Sequence, residues 1–279
     1  MRPLSQGTIK AARIIGKEAE EMISDFVATR ASETKDYDPR MTNTTALLYA
    51  TEPRRPIQQL HEISRIQRLW LNWATNGGGT TCSSEGIRKI ADAFWGGSIA
   101  ADFSSLEGKP LAAKMIQDRT YVKESLVLCD RTWAAFPDGR AFDNTLESRI
   151  ISAITGRELD EIGLNQIGER IFNLQRAILL REGWGGRRGD ELLDYFHEQP
   201  LKKGEIFFNA DGLVPGKDGE IISRIGTILK REEFGNMKNE YYELRGWDIN
   251  TGLPTDRKLK ELLLDDITVD LKARDLLGW

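Results

Sequence analysis

The stretch ELDEIGLNQIGERIFNLQRAILLREG, residues 158–183, decides the fold class of this chain. Its apolar residues Ile162, Ile167, Ile171, Leu174 and Ile178 recur at a spacing that sets them along one side of an α-helix. The pattern predicts a helix over 158–181 with that side as its apolar face. Thr155 followed by Glu158 reads as a capping box at its start, and Gly183 as its end. The same period returns through most of the chain. It predicts a helix over 8–28, with Ile15, Ala19, Met22, Ile23 and Phe26 on one buried face, and a break where Pro39 restricts the residue before it. Another helix starts after Pro56, with Ile57, Leu60, Ile63, Ile66, Trp70 and Trp73 apolar. After the Asn76-Gly77-Gly78-Gly79 loop, Ser83 or Ser84 caps a helix carrying Ile87, Ile90, Ala91 and Phe94, which Gly96-Gly97 stops. Further helices are expected over 111–128, 191–197, 220–232 and 255–263. The one departure is a short β segment over 205–208, beside the Asp211-Gly212 turn. Without a sustained period of two or βαβ alternation, the reading is an all-α domain.

The chain has 279 residues, 40% hydrophobic and 29% charged, which is ample for a buried core. A net charge of -4 supplies no general attraction to nucleic acid or to acidic membranes. Apolar runs stay well short of the roughly 18 residues that span a bilayer, and residues 1–10 carry no apolar signal core. A cytoplasmic protein, without membrane or nucleic-acid partner, is the expectation.

There are two cysteines, Cys82 and Cys129, and two histidines, His61 and His197, none in a metal-site spacing. A disulfide framework is not expected, and these thiols alone cannot complete a zinc or iron–sulfur site. Any metal would have to be shared with residues outside this chain. The glycine- and charge-rich run 182–190 reads as a helix cap followed by a solvated loop. It lacks the preceding strand and the spacing of a phosphate-cradling loop.

Four segments, in order, resemble the C-terminal region of the aldehyde:ferredoxin oxidoreductase family. Tyr37-Asp38-Pro39-Arg40 followed by Leu48-Tyr49-Ala50-Thr51 looks like its Y-D-P-R turn and A-Y-A-T helix start. The run from Glu124 to Cys129 is similar to its D-x-x-G-L-C motif. Residues 167–174 and 180–183 resemble G-E-R-I-x-N-L and L-R-E-G. Residues 241–248 and 252–255 resemble Y-Y-x-x-R-G-W-D and G-x-P-T. The resemblance implies that residues 1–40 end the family's middle helical domain and that 41–279 form its C-terminal helical domain. In the family these close over a tungsten–bispterin (molybdopterin-type) cofactor seated on an N-terminal β domain. That domain, which carries a C-x2-C-x3-C run for a 4Fe–4S cluster, is absent from this sequence.

The resemblance also assigns roles. Cys129 stands where the family's fourth cluster thiolate does, the other three coming from the N-terminal domain. The local sequence by itself reads first as a small buried hydrophobe near a helix end, and only the motif position favours the ligand role. Glu124 and Leu128 occupy the pterin-contacting positions. Glu124 replaces aspartate, and Val127 replaces a glycine, which matters if that residue needs φ > 0. His61 is the candidate for moving the proton released on oxidation, because imidazole titrates near neutrality. At the family's own histidine position this chain has Gln58, and His61 follows one helical turn later. Arg54-Arg55 offers a phosphate or acidic substrate group two guanidinium forks, or is a solvated charge pair. Cys82 and the seven tryptophans, Trp247 among them, read as structural, and His197 as exposed.

The activity implied is oxidation of an aldehyde-type small molecule to the carboxylate, with electrons passed through the iron–sulfur cluster to ferredoxin or an electron-transfer subunit. An N-terminal half or partner subunit is required, and the isolated chain is expected to be inactive. Two alternatives stand beside this reading: a non-catalytic helical scaffold used for subunit contact, and a subunit of an aromatic acyl-CoA reductase.

Overall fold

In the computed structural model, residues 8–24, 37–53, 56–78, 82–129 and 145–279 are described. They form helices α1 (Thr8–Ile15), α2 (Lys17–Ser24), α3 (Asn43–Thr51), α4 (Ile57–Thr75), α5 (Ser84–Phe94), α6 (Lys109–Ser125), α7 (Leu146–Thr155) and α8 (Glu161–Arg181). Then follow α9 (Asp194–Glu198), α10 (Arg231–Arg245), α11 (Asp256–Glu261) and α12 (Asp265–Ala273). The sheet consists of one antiparallel hairpin, β1 (Leu213–Pro215) with β2 (Ile221–Ser223), in which Val214 faces Ile222. The all-α reading therefore holds. No helix among the described residues is long and apolar enough to cross a membrane.

Two larger cores organise these elements, beside a smaller one of Ala177, Leu259, Leu262, Leu264 and Leu271 that unites α8, α11 and α12. One gathers Ile63, Ile66 and Trp70 of α4, Ile87, Ile90 and Phe94 of α5, and Val214 of the hairpin. The other gathers α3, Ala113 of α6, Phe172 of α8 and Tyr241 and Tyr242 of α10. Helices α6 and α8 lie so close that a Cβ on Gly168 would stand 2.0 Å from the Asp118 carbonyl oxygen. Glycine is required there because no other residue lets the two backbones approach so closely.

Two of the four motif segments, residues 167–174 and 241–248, meet at this crossing. Arg245 is fully buried, ion-paired with Asp118 and hydrogen-bonded to the Gln117 side chain at 2.9 Å, its guanidinium 4.2 Å from the Phe172 ring centroid. Trp247 stacks on Phe172 and donates its indole N–H to Asn173 at 2.8 Å. Arg176 forks onto Asp190 at 2.7 and 2.8 Å, and Tyr242 donates to the same carboxylate at 2.6 Å. Buried charges of this kind persist only when paired and hydrogen-bonded. The motifs at this crossing are a brace for the fold.

Several local expectations are corrected. The stripe on α8 faces outward: Ile162 is 65% exposed, Ile167 42% and Ile178 45%, while Leu164, Gly168, Phe172 and Arg176 are buried. Asp160, not Thr155, caps α8, accepting from the Gly163 N–H at 2.8 Å. The first helix breaks at Gly16 into α1 and α2, whose Ile15 and Met22 are exposed, and residues 25–28 lie outside the described set. Leu48-Tyr49-Ala50-Thr51 ends α3 and does not start a helix. The β segment expected at 205–208 is a turn, and the helix expected over 220–232 is β2 and a loop, with α10 beginning at Arg231. Helices α7, α10 and α12 were not foreseen. His197 is buried, its Nδ1 2.6 Å from the Leu229 carbonyl oxygen.

Candidate functional site

The last turn of α6 sets three of the sequence-derived candidates. Leu126 caps the helix, and Val127 turns the chain with φ 57°. The Val127 N–H donates to the Glu124 carbonyl at 3.1 Å and the Leu128 N–H to the Lys123 carbonyl at 2.9 Å. This is the paired closure that a left-handed residue after a helix makes, a place glycine normally fills. A β-branched side chain there is strained. The left-handed turn is kept without its glycine, and the Val127 side chain is 90% exposed. Beyond it, Glu124 and Leu128 are half-buried and the Cys129 thiol is exposed.

The two cysteines therefore differ in kind. Cys82 is 1% exposed within the core, and burial pushes its thiol pKa up to about 12. Such a thiol is inert packing. Cys129 sits at the surface, where a sulfur can be reached from outside the chain, and the buried-hydrophobe reading does not describe it. Among the described residues no three His, Cys, Asp or Glu side chains are grouped to hold a metal. A single exposed thiolate fits one quarter of a cluster's shell and no more.

Helix α4 is bolted to this turn. Glu62, next to His61, accepts from Lys123 Nζ at 3.0 Å, from Arg119 at 3.3 Å and from the Trp95 indole at 3.3 Å. Burial alone would raise the Glu62 pKa, but the charges of Lys123 and Arg119 and these hydrogen bonds hold it below the ordinary value. Arg119 continues to Glu147 of α7 at 2.7 Å. Nearby, the buried Glu52 carboxylate accepts from Gln59 (2.8 Å), Gln117 (3.0 Å), Tyr121 (2.8 Å) and Gln175 (3.0 Å), joining α3, α4, α6 and α8.

His61 itself lines a cavity of about 890 Å³ with Tyr37, Arg65, Arg68, Phe207 and Phe208. The Tyr37 and His61 rings meet edge-on, centroids 5.8 Å apart. Glu124, Leu128 and Cys129 are not among the cavity's lining residues. The structure thus joins the helix of His61 to the α6 turn through Glu62 and Lys123, while the His61 ring opens on the cavity. Sequence reading missed Arg65, Arg68 and the two phenylalanines. The available signal was the spacing of His61, Arg65, Arg68 and Asn72, which repeats along one helical stripe. Arg54-Arg55 and the Gln58 side chain lie outside the described residues.

Residues 2–264 match the family described as aldehyde ferredoxin oxidoreductase, domains 2 and 3. Over 152 residues the chain is 29% identical to a tungsten-containing aldehyde ferredoxin oxidoreductase of Pyrococcus horikoshii, covering 54% of this chain and 20% of that protein. The fold aligns over 100% of this chain, with TM-score 0.61 and 17% identity, to 38% of a chain in the active-site complex of benzoyl-coenzyme A reductase with 1,5-dienoyl-CoA. That likeness is one of fold. The chain spans well under two thirds of either relative.

Proposed function

The chain belongs to the aldehyde ferredoxin oxidoreductase domain 2 and 3 family, and on that footing we propose that it is the C-terminal helical part of a tungsten–pterin, iron–sulfur oxidoreductase that takes an aldehyde to the carboxylate. The single observation that supports this most is the exposed Cys129 thiol, presented at the end of a strained turn where a buried sulfur would be useless to a cluster. Residues 1–40 are assigned to the end of the middle domain and 41–279 to the C-terminal domain.

The tungsten–bispterin centre and the 4Fe–4S cluster, when bound, supply the two-electron chemistry and the exit of electrons to ferredoxin or an electron-transfer subunit. The residues of this chain do the rest. Cys129 would supply one thiolate to the cluster, with the other three from an N-terminal half or a partner subunit. Glu124 and the Leu128 backbone are the groups that would hold a pterin, the carboxylate as an acceptor for ring N–H groups. His61, on the cavity wall, takes the proton released from the substrate. The buried Glu62–Lys123 bond keeps α4 and the α6 turn in register while this happens.

Co-expression with an N-terminal partner, followed by metal analysis of the complex, tests this. Tungsten and iron are expected together, iron being lost in Cys129→Ala and retained in Cys82→Ala. A complex free of both metals would favour a non-catalytic scaffold, and full iron in Cys129→Ala would remove the ligand role. The fold likeness to the benzoyl-coenzyme A reductase complex favours a second reading, a subunit of an aromatic acyl-CoA reductase, and product analysis with an aldehyde and an aryl thioester separates the two.

A further inference from the structure

Helix α3 begins without a side-chain cap. Its N-cap residue, Thr42, bonds no helix N–H and donates its hydroxyl instead to Gln67 Oε1 of α4 at 2.9 Å. The first backbone bond across this start runs from the Thr45 N–H to the Thr42 carbonyl at 2.9 Å, so the N–H groups of Asn43 and Thr44 have no acceptor. The Asn43 amide donates to the Pro39 carbonyl at 3.0 Å and does not relieve them. Thr42 and Asn43 are 2% exposed and Thr44 1%, which keeps bulk water from these N–H groups. Buried amides left in this state are costly.

Two side chains bring further donors to the same end of the helix. Gln67 is 2% exposed, and with its Oε1 taken by Thr42 its Nε2 has no partner. Arg224 reaches the first helical residue, its Nη2 3.4 Å from Asn43 Oδ1 and its Nε 3.2 Å from the Arg40 carbonyl oxygen. These bonds occupy only part of the guanidinium's set of five N–H donors. Among the described residues no ion pair reaches it. The carboxylates that act on it from farther away, Glu233 and Asp102, are engaged by Lys230 at 2.8 Å and by the Ser104 N–H at 2.9 Å. Burial holds the Arg224 pKa below the ordinary arginine value, with those two carboxylates opposing the shift. The Arg224 backbone is fixed on both sides, its N–H donating to the Gly212 carbonyl at 2.8 Å and its carbonyl accepting from the Thr227 hydroxyl at 2.7 Å. A guanidinium here meets the positive end of the helix dipole, where anions and not cations are favoured.

We infer that the start of α3 is a binding site for a small inorganic anion such as chloride, held by the Asn43 and Thr44 N–H groups, the Gln67 amide and the Arg224 guanidinium. All four are donors, and N-terminal amides reinforced by a cation are the general means by which proteins hold anions. The burial of residues 42–44 and of Gln67 restricts the occupant to a small ion and leaves no room for an organic body. Bound there, the ion ties α3 to α4 and to the 224–227 loop. The inference stands whether or not the function proposed above does, because it needs neither metal nor partner.

Thermal unfolding of the full, metal-free chain in sodium chloride and in sodium gluconate at equal ionic strength tests it, with bromide as the crystallographic probe. Gluconate is too large for the enclosure, so the difference between the salts separates the site from charge screening. The unfolding temperature is expected to rise saturably with chloride, by about 3 °C at tenfold above the dissociation constant. The rise should vanish in Arg224→Gln, shrink in Gln67→Met and persist in Arg188→Gln, which removes the same charge from an exposed position. A bromide soak should place an anomalous peak in contact with the Arg224 guanidinium and the Asn43 N–H. No excess rise over gluconate, a full rise in Arg224→Gln, or an equal loss in Arg188→Gln would each overturn the inference. A bromide map empty at the start of α3 would do the same. Should Arg224→Gln fail to fold, Gln67→Met and the bromide map decide.

Discussion

Lys123 Nζ stands 3.0 Å from Glu62 Oε2, with both side chains almost wholly removed from water. This bond fastens the turn of α4 that carries His61 to the turn of α6 that leads to Cys129. Truncating one partner leaves a buried charge short of its counterion, which is far costlier than an exposed pair would suggest. Lys123→Met is therefore expected to destabilise the fold by about 3 kcal/mol in urea unfolding, and the double variant with Glu62→Gln by less.

The same pair has a pH signature. Glu62 has its pKa lowered in the folded state, so its contribution is fully present above the unfolded carboxylate value and is lost as pH falls through the lower folded value. Unfolding measured from neutral pH down into that acid range should show a decline that is shallower in Glu62→Gln. An identical decline in the variant would assign the acid sensitivity elsewhere.

Lys109 gives the opposite window. Its ammonium is buried and donates to the carbonyls of Asp102 (2.7 Å), Glu107 (3.1 Å) and Ile99 (3.4 Å). Burial lowers its pKa to about 8, with Asp102 opposing the shift and Arg224 adding to it. Between that value and the ordinary lysine value of about 10.4, the unfolded chain holds more protons than the folded one. Stability should rise with pH across this window, and the rise should disappear in Lys109→Met, which also lowers stability overall by leaving three carbonyls without a donor.

Val127 stands at φ 57°, a conformation glycine adopts without penalty. Val127→Gly is expected to stabilise the chain by about 1 kcal/mol, the relieved strain exceeding the added unfolded-state entropy. Thermal unfolding reads this directly. A loss of stability would mean that the valine is held by a contact outside the described residues.

Two glycines in helices should respond in opposite directions to alanine. At Gly168 a Cβ meets the Asp118 carbonyl at 2.0 Å, whereas at Gly235 of α10 nothing lies within 4 Å. Gly168→Ala should cost roughly 3 kcal/mol or prevent folding, and Gly235→Ala should gain about 0.5–1 kcal/mol.

Several elements could be read from local chemistry alone. Ser83 caps α5 through the Gly86 N–H at 3.0 Å, Gly96-Gly97 ends it at positive φ, and Thr255 caps α11. These are decided within a few residues, so sequence carries them. Helix α10 escaped because its buried side is Phe234, Met237, Lys238, Tyr241, Tyr242 and Arg245, a third of it charged. The hairpin escaped because strands of three residues hold no measurable period. Of the candidate site, His61, Glu124, Leu128 and Cys129 came from motif position, while Arg65, Arg68, Phe207 and Phe208 needed the fold to bring α4 and the 205–209 turn together.

By itself the sequence determined that the chain is helical, where α5 and α8 stop, and which family its motifs resemble. The buried faces of α4 and α5 were legible too, but only the tertiary structure decided which face of α8 is inside. On α8 the isoleucine stripe lost the core to the side bearing Gly168, Phe172, Asn173 and Arg176. Gly168 admits the α6 backbone there, and the polar residues find partners far along the chain: Asp190 for Arg176 and Trp247 for Asn173. Periodicity counts apolar side chains, whereas burial follows the packing that can be closed and the charges that can be paired, and both are set by residues distant in sequence.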